Sequence, residues 1–148
     1  MSKSIYFDMD GTLADLYAVE NWLPKLRASD PSPYAEAVPM LNLRILARYL
    51  NRLQEMGYRI GVVSWLSKGS DTNYDELVRI RKLRWLAEHL GSVDWDEIHL
   101  VKYGRPKHYV VKDKAGILFD DNAEVRESWR GEAYNEKEIL SILKELLV

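Results

Sequence analysis

Short β-favouring apolar runs alternate along this chain with long stretches of helical periodicity, and no other feature limits its fold as much. Ile5-Tyr6-Phe7, residues 58–64, Glu97 to Val101 and Ile117-Leu118-Phe119 read as strands by length and by β-branched or aromatic content. From Met40 to Met56, the residues Leu41, Ile45, Tyr49, Leu53 and Met56 recur at helical steps, and Gly57 stands where such a helix ends. Leu77, Ile80, Leu83, Leu86 and Leu90 repeat the pattern from about Asn73 to Leu90. Thr72 and Asp75 have capping-box spacing there, and Gly91 is the expected C-terminal cap. Asn135 with Glu138 opens a last helix through Ile139, Leu143 and Leu146. Strands separated by helices of this length pair in parallel, so the expected class is α/β, an open sheet covered on both faces.

The chain has 148 residues, 47% of them hydrophobic, which suits a single domain over 1–148 with a real core and little room for a second. It contains no cysteine, which excludes a disulfide framework, a zinc-thiolate site and a thiol nucleophile. A net charge of -2 supplies no global pull toward nucleic acid. No apolar run approaches the ~20 residues that span a bilayer. The opening Met1-Ser-Lys-Ser leads straight into the first strand without an apolar leader, and a cytoplasmic location is expected. Residues 15–39, with Pro24, Pro31, Pro33 and Pro39, break the alternation and read as a small insertion over the top of the sheet. Asn21 to Arg27 reads as a short helix within it.

Ligands of an open parallel sheet bind beyond the carboxyl ends of its strands. Asp8 and Asp10, Ser64, and the pair Asp120 and Asp121 all fall at such ends, which brings three polar clusters to one edge. Gly11 permits a tight turn and Thr12 offers a hydroxyl. Several carboxylates at one edge repel each other unless a cation joins them. Hard oxygen donors without histidine or cysteine favour Mg2+, whose coordination is commonly completed by phosphate.

The segment Asp8-Met-Asp10-Gly-Thr12-Leu resembles the opening motif of the haloacid dehalogenase superfamily of phosphatases. Ser64 after Val62-Val63 resembles its second motif. A lysine of Lys102-Tyr-Gly-Arg-Pro-Lys107 can supply the third, and Phe119-Asp120-Asp121 resembles the fourth. The likeness implies a Rossmann-like core with a minimal cap, and a Mg2+-dependent phosphomonoester hydrolase. It implies that Asp8 is the nucleophile, forming an aspartyl-phosphate, and that Asp10 is the general acid and base. It further implies Mg2+ ligands in Asp8, the main-chain carbonyl of Asp10, and one or both of Asp120 and Asp121. Thr12, Ser64 and a lysine would hold the phosphoryl oxygens, with Lys107 favoured over Lys102 because Pro106 suits the first turn of a helix.

The layout is loosely similar to the 5'-nucleotidase branch of that superfamily. A nucleotide or a nucleic-acid end is therefore the leading substrate expectation, and Tyr17, Trp22 and Trp65 flank the motifs where a base could stack. An insertion this small, even with the Ser67-to-Tyr74 loop, cannot enclose a substrate alone. Either the site is open to large substrates or a second subunit completes the lid. A phosphate-ligand binding module without turnover and a phosphomutase are the alternatives. Arg79, Arg81, Lys82 and Arg84 read as a solvated helix face, and His89, His99 and His108 lack ligand spacing.

Overall fold

The computed structural model describes residues 3–69 and 71–148; Met1 and Ser2 of the opening segment, and Ser70 of the 67–74 loop, lie outside them. Five strands form one parallel sheet: β1 (Ser4–Phe7), β4 (Arg59–Trp65), β5 (Glu97–Val101), β6 (Ile117–Phe119) and β7 (Ala133–Tyr134). Their spatial order is β5-β4-β1-β6-β7, so β1 is central. Every side chain of β1 is buried, as a strand covered on both faces requires. Ile5, Phe7, Ile60 and Val62 join one core cluster, while Tyr6, Val63 and Leu118 join the other.

The two faces are covered unequally. Three helices, α3 (Leu43–Glu55), α4 (Thr72–His89) and α6 (Ile139–Leu146), contribute to the larger cluster. The opposite face carries α5 (Ala123–Ser128) and the crossover after β5, through Val111, Val125 and Trp129. Neither α5 nor β7 is legible as apolar periodicity, because each is a single short turn or pair of residues. Asn122 nucleates α5, its side chain accepting from the amides of Glu124 and Val125.

Residues of the insertion hang from a small antiparallel ribbon of β2 (Ala14–Asp15) and β3 (Val38–Pro39). Between them lie α1 (Trp22–Arg27) and α2 (Ser32–Glu36). The insertion docks on α4: Trp85 Nε1 donates to the Ala37 carbonyl at 2.8 Å, and the Tyr74 hydroxyl donates to the Asp30 carbonyl at 3.1 Å.

Two helix faces differ from the sequence reading. In α3 the buried stripe is Leu46, Leu50 and Leu53; Ile45 and Tyr49 flank it, and Met56 is exposed. In α4 the expected stripe divides: Leu86 and Leu90 are buried, and its other three residues are not. Leu77, Ile80 and Leu83 are exposed at 46%, 49% and 41%, and the helix docks through Tyr74, Val78, Lys82, Trp85 and Leu86. Its cap is Asp71, which accepts from the amides of Asn73 and Tyr74, and not Thr72. Asp75 instead accepts from the amide and hydroxyl of Ser67, fixing the loop after β4. Leu90, with non-helical backbone, closes α4, and Gly91 follows it at the position expected of a terminal glycine, without the left-handed backbone of such caps.

Candidate active site

Asp8 continues the β1 ladder by donating its amide to the Phe119 carbonyl at 2.9 Å, so its side chain is projected from the rigid centre of the sheet. Met9 accepts the amides of Thr12, Leu13 and Ala14, which curls the chain sharply back. Gly11, at φ +81°, makes this turn without strain, and a Cβ there would run into the Asp121 carboxylate. The Thr12 hydroxyl lies 3.0 Å from Asp8 Oδ2 and 3.3 Å from Asp121 Oδ1, and accepts from the Asp121 amide at 3.1 Å. It is fully buried and does not line the cleft. The hydroxyl orients Asp8 and ties the first acidic motif to the last.

Lys107 sits in a 3-10 turn, Lys107–Tyr109, preceded by Pro106. Its ammonium donates to Asp8 Oδ1 at 3.0 Å and to Asp120 Oδ2 at 2.6 Å, and it lies 5.1 Å from the centre of the Trp65 ring. Lys102 is exposed and lines no part of the cleft. Asp120 is further held by the Asn122 amide on Oδ1 and by Arg126 on its carbonyl. Oxygens of Asp8, Asp120 and Asp121 lie within 4.8 Å of one another. Three hard anionic donors this close fit a divalent cation such as Mg2+. The Asp10 carboxylate is not among them.

Asp10 points instead at Lys82, whose ammonium donates to Asp10 Oδ2 at 2.7 Å, to Ser64 Oγ at 3.0 Å and to the Trp65 carbonyl at 2.6 Å. Lys82 is 1% exposed and sits 5.2 Å from the centre of the Tyr34 ring. Reading it as part of a solvated basic face is therefore corrected. All three ammonium hydrogens have acceptors, which is what burying a lysine requires. A signal was present in the sequence: Tyr74, Val78 and Trp85 form a second apolar stripe on α4, and Lys82 lies within it.

The titration behaviour separates the carboxylates. Burial alone raises Asp8, but the charge and hydrogen bond of Lys107 outweigh it and hold the group below the usual range. Asp10 is raised, first by burial and then by Asp8, against the opposing Lys82. Burial and the Asp8 charge push Asp120 up to about 6 and Asp121 up to about 8. A carboxylate raised by folding binds protons that the unfolded chain has released above pH ~4. The stability contributed by Asp120 and Asp121 is complete below that pH and is lost as the pH rises through about 6 and about 8. Thermal melts without metal should therefore fall between roughly pH 5.5 and pH 8.5, and Mg2+ should flatten that fall by stabilising the ionised forms. A Mg2+ effect of the same size at both ends of the range would refute this coupling.

These groups form the floor of a cleft of about 700 Å³. The insertion supplies one wall through Tyr17, Trp22, Leu26 and Tyr34, with Tyr17 and Trp22 edge to face at 5.0 Å. Trp65 and Tyr103 also line it, with ring centres 4.8 Å apart. Ser64 faces the same cleft. His89 packs on Trp85, His99 contacts Glu97, and no histidine lines the cleft among the described residues.

The fold has clear counterparts among solved structures. D,D-heptose 1,7-bisphosphate phosphatase from B. bronchiseptica, complexed with magnesium and phosphate, aligns with a TM-score of 0.56 and 14% identity over 98% of each chain. The corresponding phosphatase from Burkholderia thailandensis aligns with a TM-score of 0.52 and 13% identity over 99% of each chain. The chain shares the fold of these two phosphatases. No protein-family profile and no curated protein sequence matches the chain. In this fold the acidic cluster occupies the carboxyl edge of the central strands. Among the described residues no helix is long and apolar enough to cross a membrane.

Proposed function

We propose that this chain is a Mg2+-dependent phosphomonoester hydrolase that works through an aspartyl-phosphate on Asp8. The observation that carries the proposal is the division of the acids at one sheet edge. Asp8 is kept anionic beside Lys107, while Asp10 is raised and held apart by Lys82. One ionised and one protonatable carboxyl are the pair that nucleophilic attack followed by leaving-group protonation requires. Supporting it, the magnesium and phosphate complex of the B. bronchiseptica phosphatase has the same fold.

Asp8 attacks phosphorus and forms the acyl phosphate as the bond to the substrate alkoxide breaks. Asp10 gives its proton to that alkoxide, then takes one from the water that attacks the phosphoryl group, releasing phosphate and restoring Asp8. Ser64 donates its own hydroxyl hydrogen to a phosphoryl oxygen while accepting from Lys82. Lys107 balances charge on the transferring group. Asp8, Asp120, Asp121 and the main-chain carbonyl of Asp10 would hold Mg2+, which supplies Lewis-acid neutralisation of phosphate charge.

A nucleotide or nucleic-acid end is the substrate class that the aromatic walls favour. A base would stack on either the Tyr17–Trp22 pair or the Trp65–Tyr103 pair, and the cleft has room for a nucleoside beyond the phosphate. Sugar phosphates are the competing class, since the matched phosphatases are named for a heptose bisphosphate.

The test is turnover of an aryl phosphate with Mg2+, abolished by EDTA, followed by nucleoside monophosphates, oligonucleotide ends and sugar phosphates. Trp65→Ala should raise KM for the nucleotide substrates about tenfold or more, with a smaller effect on a sugar phosphate. An equal change for both classes would rule out base stacking at Trp65. Phosphate-dependent thermal stabilisation without product would favour a binding module, and an isomerised sugar phosphate would show a mutase.

A further inference from the structure

We infer that the outer face of α4 pairs two copies of this chain antiparallel about Ile80. Its apolar centre covers the two turns from Leu77 to Leu83, about 9 Å of the helix, and polar side chains flank it. Leu77, Ile80 and Leu83 are exposed at 46%, 49% and 41%, and Ile98 of the edge strand β5 adds 39% beside them. A shallow apolar groove of about 260 Å³, lined by Leu83, Ala87, Leu90, Val93 and Ile98 among others, continues the patch past the end of the helix. A run of large aliphatic side chains on a helix whose other face already serves the core needs a partner to cover it.

The pattern around Ile80 identifies that partner as a second copy. Across a two-fold axis at Ile80, each residue lies level with the one equally far on the other side of it. Leu77 and Leu83, three positions away on either side, come level with each other. Glu76 and Arg84, four positions away, come level with opposite charge, and the axis makes that pairing twice. Asn73 and Ala87, seven positions away, are both exposed and small enough to let the helices approach. The Glu76 carboxylate is 67% exposed and pairs with Arg79 of its own helix at 3.4 Å, an exposed contact that leaves its second oxygen to engage across the axis. A stripe that is apolar along its centre and charge-complementary to its own reversal fits an isologous interface. The reversed pairing sets the C-terminal end of the second copy's α4 level with Asp71, at the rim of the cleft.

The inference stands apart from the catalytic reading, because none of these side chains touches the acidic cluster. Sedimentation of the full chain from roughly 1 to 500 µM should show a reversible monomer–dimer equilibrium. Glu76→Arg and Arg84→Glu should each raise the dissociation constant about tenfold or more by setting like charges opposite one another twice. The double variant E76R/R84E, with the charges exchanged, should return to within about threefold of the unaltered chain. Ile80→Glu should leave only monomer over the same range. A chain that stays monomeric throughout, a dimer indifferent to both single exchanges, or a double variant no better than the singles would each overturn the pairing.

Discussion

Asp8→Asn is expected to abolish turnover, by at least about 10⁴-fold in kcat, while leaving the fold intact. Asparagine keeps the volume of the side chain and a carbonyl oxygen for Lys107, but an amide does not attack phosphorus. The exchange also removes the negative charge that pushes up Asp120 and Asp121. The variant should still unfold cooperatively, and without metal its thermal stability should vary less with pH between about 5.5 and 8.5. Inactivity from collapse of the fold would abolish that cooperative transition, and the two explanations separate on that reading. Retained turnover would remove Asp8 from the nucleophile role.

The second large effect belongs to Lys82. Lys82→Met deletes the only ammonium bonded to the Asp10 carboxylate among the described residues and leaves that carboxyl buried beside Asp8. Breaking a buried pair from one side costs about 3–5 kcal/mol. For a domain of this length that is roughly 10 °C or more in Tm. The loss should be one-sided: in the double variant D10N/K82M no charge is stranded, and stability should return to within about 1.5 kcal/mol of the starting chain. Activity should not return, because Asp10 is needed for proton transfer. Denaturant titration of the four proteins decides the point. An unchanged midpoint for Lys82→Met would mean that the ammonium is solvated in solution and does not hold Asp10.

The acidic edge was legible from the chain because strand ends are marked twice, once by the end of an apolar run and once by the acids that follow. Asp8, Asp10, Ser64, Asp120 and Asp121 are placed on the sheet by that logic alone. Lys107 was reachable through Pro106, which starts the turn that aims it at Asp8 and Asp120. Lys82 was harder to place, for a physical reason. Helix α4 is apolar on two sides, and periodicity reports only that a stripe exists, not which stripe the sheet covers. The leucine and isoleucine stripe is the more regular one in sequence. The other stripe carries Trp85 and Tyr74, whose polar tips find the Ala37 and Asp30 carbonyls of the insertion, and it carries the lysine that Asp10 requires. Tertiary hydrogen bonding, invisible to local spacing, chose the face. The contacts of Thr12 were hidden in the same way, since only the folded turn shows that its hydroxyl meets Asp8 and Asp121.

The aspartyl-phosphate on Asp8 is the central claim, and it can be trapped chemically. The chain is mixed with Mg2+ and a phosphomonoester, quenched in acid during turnover, and treated with borohydride, which reduces an acyl phosphate but spares a free carboxylate. Mass spectrometry of the peptide containing Asp8 should then show homoserine in its place, dependent on both substrate and Mg2+ and absent from Asp8→Asn. Release of phosphate with Asp8 unmodified, or reduction at Asp10, Asp120 or Asp121 instead, would contradict the account.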